Sequence, residues 1–410
     1  MRMMDLTMAL RNIWRHPRRT ALTVAAIAFA ATLLVFMLSF QFGCYEAMIN
    51  TSVKISTGHL QIQAQGYQDD KDIRKAIEDP LKLSTILKST AGIEAWCFRA
   101  CAFSLLSSAT RTTGVLVTGI DPVREKKVST LASLIRKGSY LDDTSAGGAL
   151  IGARLARNLS VRPGDELTLL GQGKDGSVAA SVLTVRGIFE SGVEDLDRNV
   201  LLMSLGDFKE MFTMDGAVHQ AVITVSSLKT VARVKSALAR RLNGEKGLVV
   251  LDWMDILPGL LQSIQMDLVS GAIMYLILVI VVSFSIFNTF LMAIFERTRE
   301  FGVMMAIGTT PGRLMKLVLL ESSAMTVLGI VSGMILGSLV TLYFQKHGIY
   351  IEGTADILKQ YGIPERLYPR LSFLTLVAGP AVVFIITFVS SIIPALKIRR
   401  MKPVEAMNHG

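Results

Sequence analysis

Four runs of apolar residues, each longer than twenty, punctuate a chain whose other stretches alternate polar and apolar positions at shorter periods. Ala21–Phe42, Leu268–Phe295 and Leu371–Leu396 carry no charge, and Leu317–Leu342 carries one, Glu321. A bilayer's hydrocarbon core is about 30 Å thick and a helix rises about 1.5 Å per residue, so about 20 residues cross it. Each run is long enough to span. The pattern predicts four membrane helices in a one-plus-three arrangement, with residues 43–267 between the first and second.

That intervening region reads differently. Alternation over Ile55–Gln63, Val115–Ile120, Glu166–Leu170 and Val182–Phe189 predicts strands. Helical spacing appears in Ala149–Leu159, Leu205–Phe212 and Leu228–Leu242, and Gly171–Gly176 marks a hairpin turn. A length of about 225 residues is enough for a mixed α/β domain of two packed subdomains. From Trp253 onward Leu257, Leu260, Leu261, Ile264 and Leu268 share a helical face, so a stalk helix runs into the second span. Residues 1–20 begin with an amphipathic stretch, where Leu6, Leu10, Ile13 and Trp14 share one face and arginines the other. His16-Pro17 ends it.

The composition, 51% hydrophobic and 19% charged over 410 residues, excludes a purely soluble enzyme. The net charge of +10 is unevenly placed. Residues 1–20, the loop 296–316 and the tail 397–410 together carry net +9, whereas residues 43–267 carry net +1. By the positive-inside rule the first three segments are cytoplasmic. Both termini are then inside, with 43–267 and the loop 343–370 outside. The basic balance therefore reports topology and gives no reason to expect nucleic-acid binding. The first apolar run exceeds the 7–15 residues of a signal-peptide core, so it is expected to stay as a span. Cys44, Cys97 and Cys101 are odd in number, and Cys97 could pair with Cys101 only across an irregular backbone.

No catalytic constellation is present. The chain has no G-x-x-x-x-G-K-[ST] loop, no H-E-x-x-H, no paired-cysteine zinc spacing and no G-x-S-x-G elbow. No cofactor or metal is expected on this chain, and a membrane enzyme or receptor is disfavoured. Asn288 and Glu321 are polar groups inside apolar spans, where such residues are functional or paired. Glu321 lies near the inner end, within reach of Arg313. Gly329, Gly333 and Gly337 recur every four residues, which suits close helix packing. Gly379-Pro380 is expected to kink the fourth span.

The loop between the second and third spans is the most informative segment. Phe301, Met304, Met305 and Ile307 give an apolar edge at helical spacing, Gly308 closes the helix, and Thr310-Pro311 starts the next. Such a short amphipathic helix either docks into a groove on a soluble partner, with Arg297, Arg299 and Glu300 as a charged rim, or lies on lipid.

Glu296-Arg297-x-Arg299-Glu300-Phe301-Gly302 followed by Ala306-Ile307-Gly308 resembles the coupling-helix signature of the FtsX/MacB-type (type VII) ABC transporter permeases. Leu10-Arg11-Asn12 with Arg18-Arg19-Thr20-Ala21-Leu22-Thr23 is similar to the start of that family. Pro394-Ala395 with Arg399-Arg400-Met401-x-Pro403-Val404-Glu405-Ala406 is similar to its end. Gly58-His59-Leu60-Gln61-Ile62 and Asp252-Trp253 look most like the lipoprotein-releasing LolC/LolE branch. The resemblance implies a non-catalytic permease in a bacterial inner membrane, with a periplasmic domain and a separate ABC ATPase that holds ATP and Mg. It also implies extraction of lipoproteins, whose acyl chains would enter near Phe36, Phe40 and Ile273. The alternative is a mechanotransmission permease that activates a cell-wall hydrolase or an efflux partner. Four spans are too few to enclose a lipid-sized path, so a second copy or a paralogue is expected, as a two-fold dimer.

Overall fold

A computed structural model of the chain describes residues 17–142, 146–243, 245, 247–350, 352–353 and 366–399. The amphipathic stretch expected over residues 1–15 and the tail from residue 400 lie outside them, as does the loop from 354 to 365. The chain divides into two compact units, one of residues 1–46, 264–350 and 366–410, the other of residues 47–263 and 351–365.

The first unit is built on long apolar helices. These are Pro17–Ser52, Pro258–Glu296, Pro311–His347 and Phe373–Arg399, with a mean hydropathy of 2.0–2.5 in their most apolar windows. From Pro258 stalk and second span are one helix, but the expected start at Trp253 is a separate short helix, Trp253–Ile256, that ends at Leu257 before Pro258 begins the long one. Pro380 and Pro394 lie inside the last long helix. Ile27, Leu34, Val279, Ile286, Phe290, Met325 and Val383 form the core of this unit. The glycine row of the third helix lies against the first. A Cβ at Gly333 would stand 2.5 Å from the Ala28 carbonyl oxygen and 2.6 Å from Ala31 Cβ, and one at Gly329 would stand 2.7 Å from Ile27 Cβ. Glycine permits this approach because it presents only backbone, and Thr32 Oγ1 uses it to donate to the Gly333 carbonyl at 3.1 Å.

In the second unit ten strands form one sheet system. They are β1 (Leu60–Ala64), β2 (Ile93–Ser107), β3 (Thr112–Ile120), β4 (Ile135–Gly138), β5 (Gly148–Gly152), β6 (Glu166–Gln172), β7 (Val178–Phe189), β8 (Val200–Ser204), β9 (Gln220–Val225) and β10 (Leu248–Asp252). The fifteen-residue β2 belongs to two subdomains. Its first half pairs antiparallel with β9, which continues through β1 to β10. The helices Pro80–Lys88 and Leu228–Arg241 contribute Leu83, Leu87, Val231, Val234 and Leu238 to the core of this layer. Its second half enters a closed circuit, β2-β3-β8-β5-β7-β6 and back to β2. Val117, Leu106, Ile151, Leu169, Val185 and Leu201 fill this circuit together with Phe208 and Phe212.

Two local readings are corrected. Ile55–Gln63 is not one strand: a π-helix, Val53–Thr57, turns at Gly58 (φ +67°) before β1 begins. Val53 and Ile55 are both buried there, so the two-residue alternation was real but arose without extended backbone. Ala149–Leu159 is strand β5 followed by the helix Ala153–Leu159, because Gly148–Gly152 is buried on both faces and carries no periodicity. Cys97 and Cys101 both lie on the regular strand β2, and all three cysteines are free.

Candidate functional site

The chain breaks after the second long helix and forms the short helix Thr298–Ala306 before the third begins. Its end is a Schellman motif. Gly308 adopts φ +99°, its N–H donates to the Met305 carbonyl at 3.1 Å, and the Thr309 N–H donates to Met304 at 3.0 Å. Thr310 then occupies the N-cap position of the third helix, with Pro311 at its first position. Two opposed helix signals three residues apart fix the length of the short helix.

Its buried face holds Phe301, only 1% exposed, with Gly302 and Met305. Phe301 and Met305 pack with Ile294, Leu314, Val318 and Ile398, and Met304 lies partly buried against them. Phe301 and Met305, expected to enter a partner's groove, are therefore already inside their own chain, whereas Ile307 of the same expected edge stays open. Spacing identifies which residues share a face, but not which neighbour covers it, and here the third and fourth long helices cover it. The open edge is Arg299, Val303, Ala306 and Ile307, one stripe at i, i+4, i+7 and i+8, with Val303 49% and Ile307 79% exposed. Sequence reasoning passed over Val303 because valine alone carries no distinguishing signal.

Arg297 is also buried instead of forming a rim. Its Nη1 donates to both carboxylate oxygens of Glu321, at 3.0 and 3.2 Å, and its Nε donates to Glu300 at 3.3 Å. Glu321 is thus ion-paired, with Arg297 as its partner. Glu300 itself stays mostly open, and Lys397 lies 4.1 Å over the Phe295 ring.

Phe36 and Phe40 are half-buried with ring centroids 6.3 Å apart, and Phe36 also meets Phe344 at 5.7 Å. Ile273 and Asn288 lie on exposed faces of the second long helix. A polar cluster that sequence reasoning missed joins the first two long helices. Tyr45 donates to Asp267 at 2.5 Å, Gln41 to Tyr45 at 2.8 Å and to Asp267 at 3.2 Å, and Tyr275 to Gln41 at 2.8 Å. Gly271 makes room for the Gln41 amide. The signal was available as four polar residues at the edges of two apolar runs, but their pairing depends on helix rotation.

In the second unit a cavity of about 210 Å³ is lined by Gln61, Arg99, Thr118, Leu131 and Phe189 among others. Arg99 is fully committed there: it pairs with the buried Glu125 and donates to the Ser56 carbonyl. Nearby His219 is wholly buried. Its Nδ1 accepts from the Cys101 N–H at 2.9 Å, which places the proton on Nε2, facing the Ile73 carbonyl at 2.9 Å. Burial pushes its pKa below the ordinary value. Among the described residues no group of three or more His, Cys, Asp or Glu could hold a metal ion.

Comparison with known proteins covers nearly the whole chain. Residues 20–241 match the MacB-like periplasmic core domain, and residues 272–403 match the FtsX-like permease C-terminal region. The lipoprotein-releasing system transmembrane protein LolC of Xylella fastidiosa (strain Temecula1) is 25% identical over 94% of this chain and 93% of its own. LolC of Neisseria meningitidis serogroup B is 20% identical over 95% and 94%. Among solved structures, the extracellular domain of the noncanonic ABC-type transporter YknZ from Gram-positive bacteria aligns with 48% of this chain and 100% of its own, at TM-score 0.36 and 14% identity.

Proposed function

We infer that this chain, which belongs to the family of ABC transporter permeases built from a MacB-like periplasmic core domain and an FtsX-like C-terminal region, couples a separate ATPase to the release of lipoproteins from the inner membrane. The observation that carries this reading is the open edge of Thr298–Ala306. A membrane protein that leaves Val303 and Ile307 uncovered beside Arg299, on a helix held rigidly by its own buried face, offers a partner a preformed surface. The cargo assignment is supported by similarity along the full length to proteins named for lipoprotein release.

In this reading both termini and the short helix are cytoplasmic, which the charge asymmetry supports. The ATPase docks on Arg299, Val303 and Ile307, and ATP and Mg stay on that partner. Its motion enters the helix Pro258–Glu296, which runs without interruption toward the periplasmic domain. Acyl chains approach beside Phe36, Phe40 and Ile273. A second permease copy or paralogue packs on the second long helix, whose membrane window is only 11% buried and exposes Asn288. An amide in hydrocarbon costs free energy unless it is hydrogen-bonded, and a helix from another copy can supply the bond.

The test is purification from detergent with the partner ATPase, followed by mass spectrometry of bound proteins. Acylated proteins released on adding ATP support the reading. An ATPase complex that holds only a hydrolase or an efflux partner would replace it with mechanotransmission.

A further inference from the structure

We propose that the Arg297–Glu321 pair is the rigid link that makes the short helix Thr298–Ala306 and the third long helix move as one body. The assignment rests on the docking role proposed above. Arg297 occupies the break itself, between the last residue of the second long helix and the first of the short one, with φ −103° and ψ 10°. A chain bend at that point would let the short helix swing independently. The Arg297 side chain prevents this by bonding in two directions. Its Nη1 forks onto both oxygens of Glu321, twenty-four residues on in the third long helix, and its Nε reaches Glu300 on the short helix.

Environment makes the link stiff. The side chains of Arg297 and Glu321 are 10% and 12% exposed, and the Phe301 ring lies 5.4 Å from the guanidinium carbon. A charge pair sheltered from water is stronger than one at the surface, and the fork fixes orientation as well as distance. The apolar contacts of Phe301 and Met305 hold the same helix by close packing, and the fork adds a fixed direction that they lack. Burial of Arg297 also removes it from the partner's reach, which makes it a positioning residue of the docking site.

The experiment places spin labels at Met304, on the short helix but off its open edge, and at Leu339 on the third long helix. Their separation is measured in the permease–ATPase complex with and without ATP and vanadate. Wild type should keep the same separation in both states. Glu321→Gln removes the charge at constant shape, and should shift or broaden the separation by roughly 2 Å, the scale of helix displacements in switching proteins. ATPase retention should stay within about twofold of wild type, because the docking edge is untouched. Glu321→Asp, which keeps the charge and leaves Arg297 paired with Glu300, should hold the separation fixed. A Glu321→Gln complex as rigid as wild type, or a Glu321→Asp complex as loose as Glu321→Gln, would overturn the link. A wild-type permease that retains no ATPase would instead remove the docking reading, and the link with it.

Discussion

Glu125→Ala should unfold the periplasmic domain far more easily than any surface substitution. Glu125 is fully buried, and Arg99 forks onto it with Nη2 to Oε1 at 2.5 Å and Nε to Oε2 at 3.0 Å. The guanidinium's remaining arm is held by the Ser56 carbonyl, so it cannot swing out to water without breaking a second bond. Removing one partner of such a pair leaves an uncompensated buried charge, at about 3–5 kcal/mol. A domain of this size shifts its melting temperature by about 2–4 °C per kcal/mol, so the loss is about 6–20 °C. Two of the three tryptophans, Trp96 and Trp253, lie in the same unit, and Trp96 sits 4.6 Å from the Arg124 guanidinium. Intrinsic fluorescence during heating of the full chain in detergent therefore reads this domain. Replacing both partners by apolar residues, Arg99→Met with Glu125→Leu, should cost much less than Glu125→Ala, because no charge is left behind. The carboxyl also sets an acid limit. Burial alone would raise its pKa, but the Arg99 charge and hydrogen bonds outweigh this and hold it below the ordinary 4.5. Its stabilisation is therefore complete above that value and fades as pH falls from it toward the lower folded pKa. A Glu125→Ala melt within about 2 °C of wild type would refute this account of the pair.

Gly333→Ala in the third long helix should lower the stability of the membrane unit by about 1–3 kcal/mol, since a methyl group must push the helices apart. Gly312→Ala, where a Cβ meets nothing within 4 Å, should be neutral in the same detergent melt. A cysteine replacing Lys174 in a chain freed of its native cysteines should react with an impermeant label from outside, and one replacing Thr309 only from inside. Reaction of both from one side would overturn the topology. Phe301→Ala should reduce folded yield, because Phe301 is a core residue. Val303→Glu with Ile307→Glu should leave yield unchanged yet cut ATPase affinity by about thirtyfold, the effect of about 2 kcal/mol.

Unbroken apolar length made the membrane helices legible, because about twenty consecutive apolar residues admit few alternatives. The β6–β7 hairpin at Gly171–Gly176 was legible for a similar reason, since its turn residues sit between two alternating strands. Pairing was not legible. Nothing in the sequence says that β2 leaves one sheet layer and enters a six-strand circuit, or that Arg297 bonds Glu321. Those outcomes depend on helix rotation and strand order, which contacts distant in sequence decide. The short helix Thr298–Ala306 shows the limit most plainly. Its Gly308 stop and the helical spacing of its apolar residues could be read, but not that Phe301, Met305 and Arg297 would be covered while Ile307, Arg299 and Glu300 stay open. The larger apolar residues, Phe301 and Met305, were covered by Leu314, Val318 and Ile398 from elsewhere in the chain.

The central claim is that an ATPase sits on the open edge of Thr298–Ala306. A photocrosslinking amino acid placed at Ile307 in intact membranes, irradiated and analysed by mass spectrometry, tests it most directly. The account predicts an adduct with a Walker-motif ATPase at Ile307 and at Val303, and none at Leu339 on an exposed face of the third span. Adducts at Ile307 with phospholipid alone would mean that the helix lies on the bilayer, and would contradict the account.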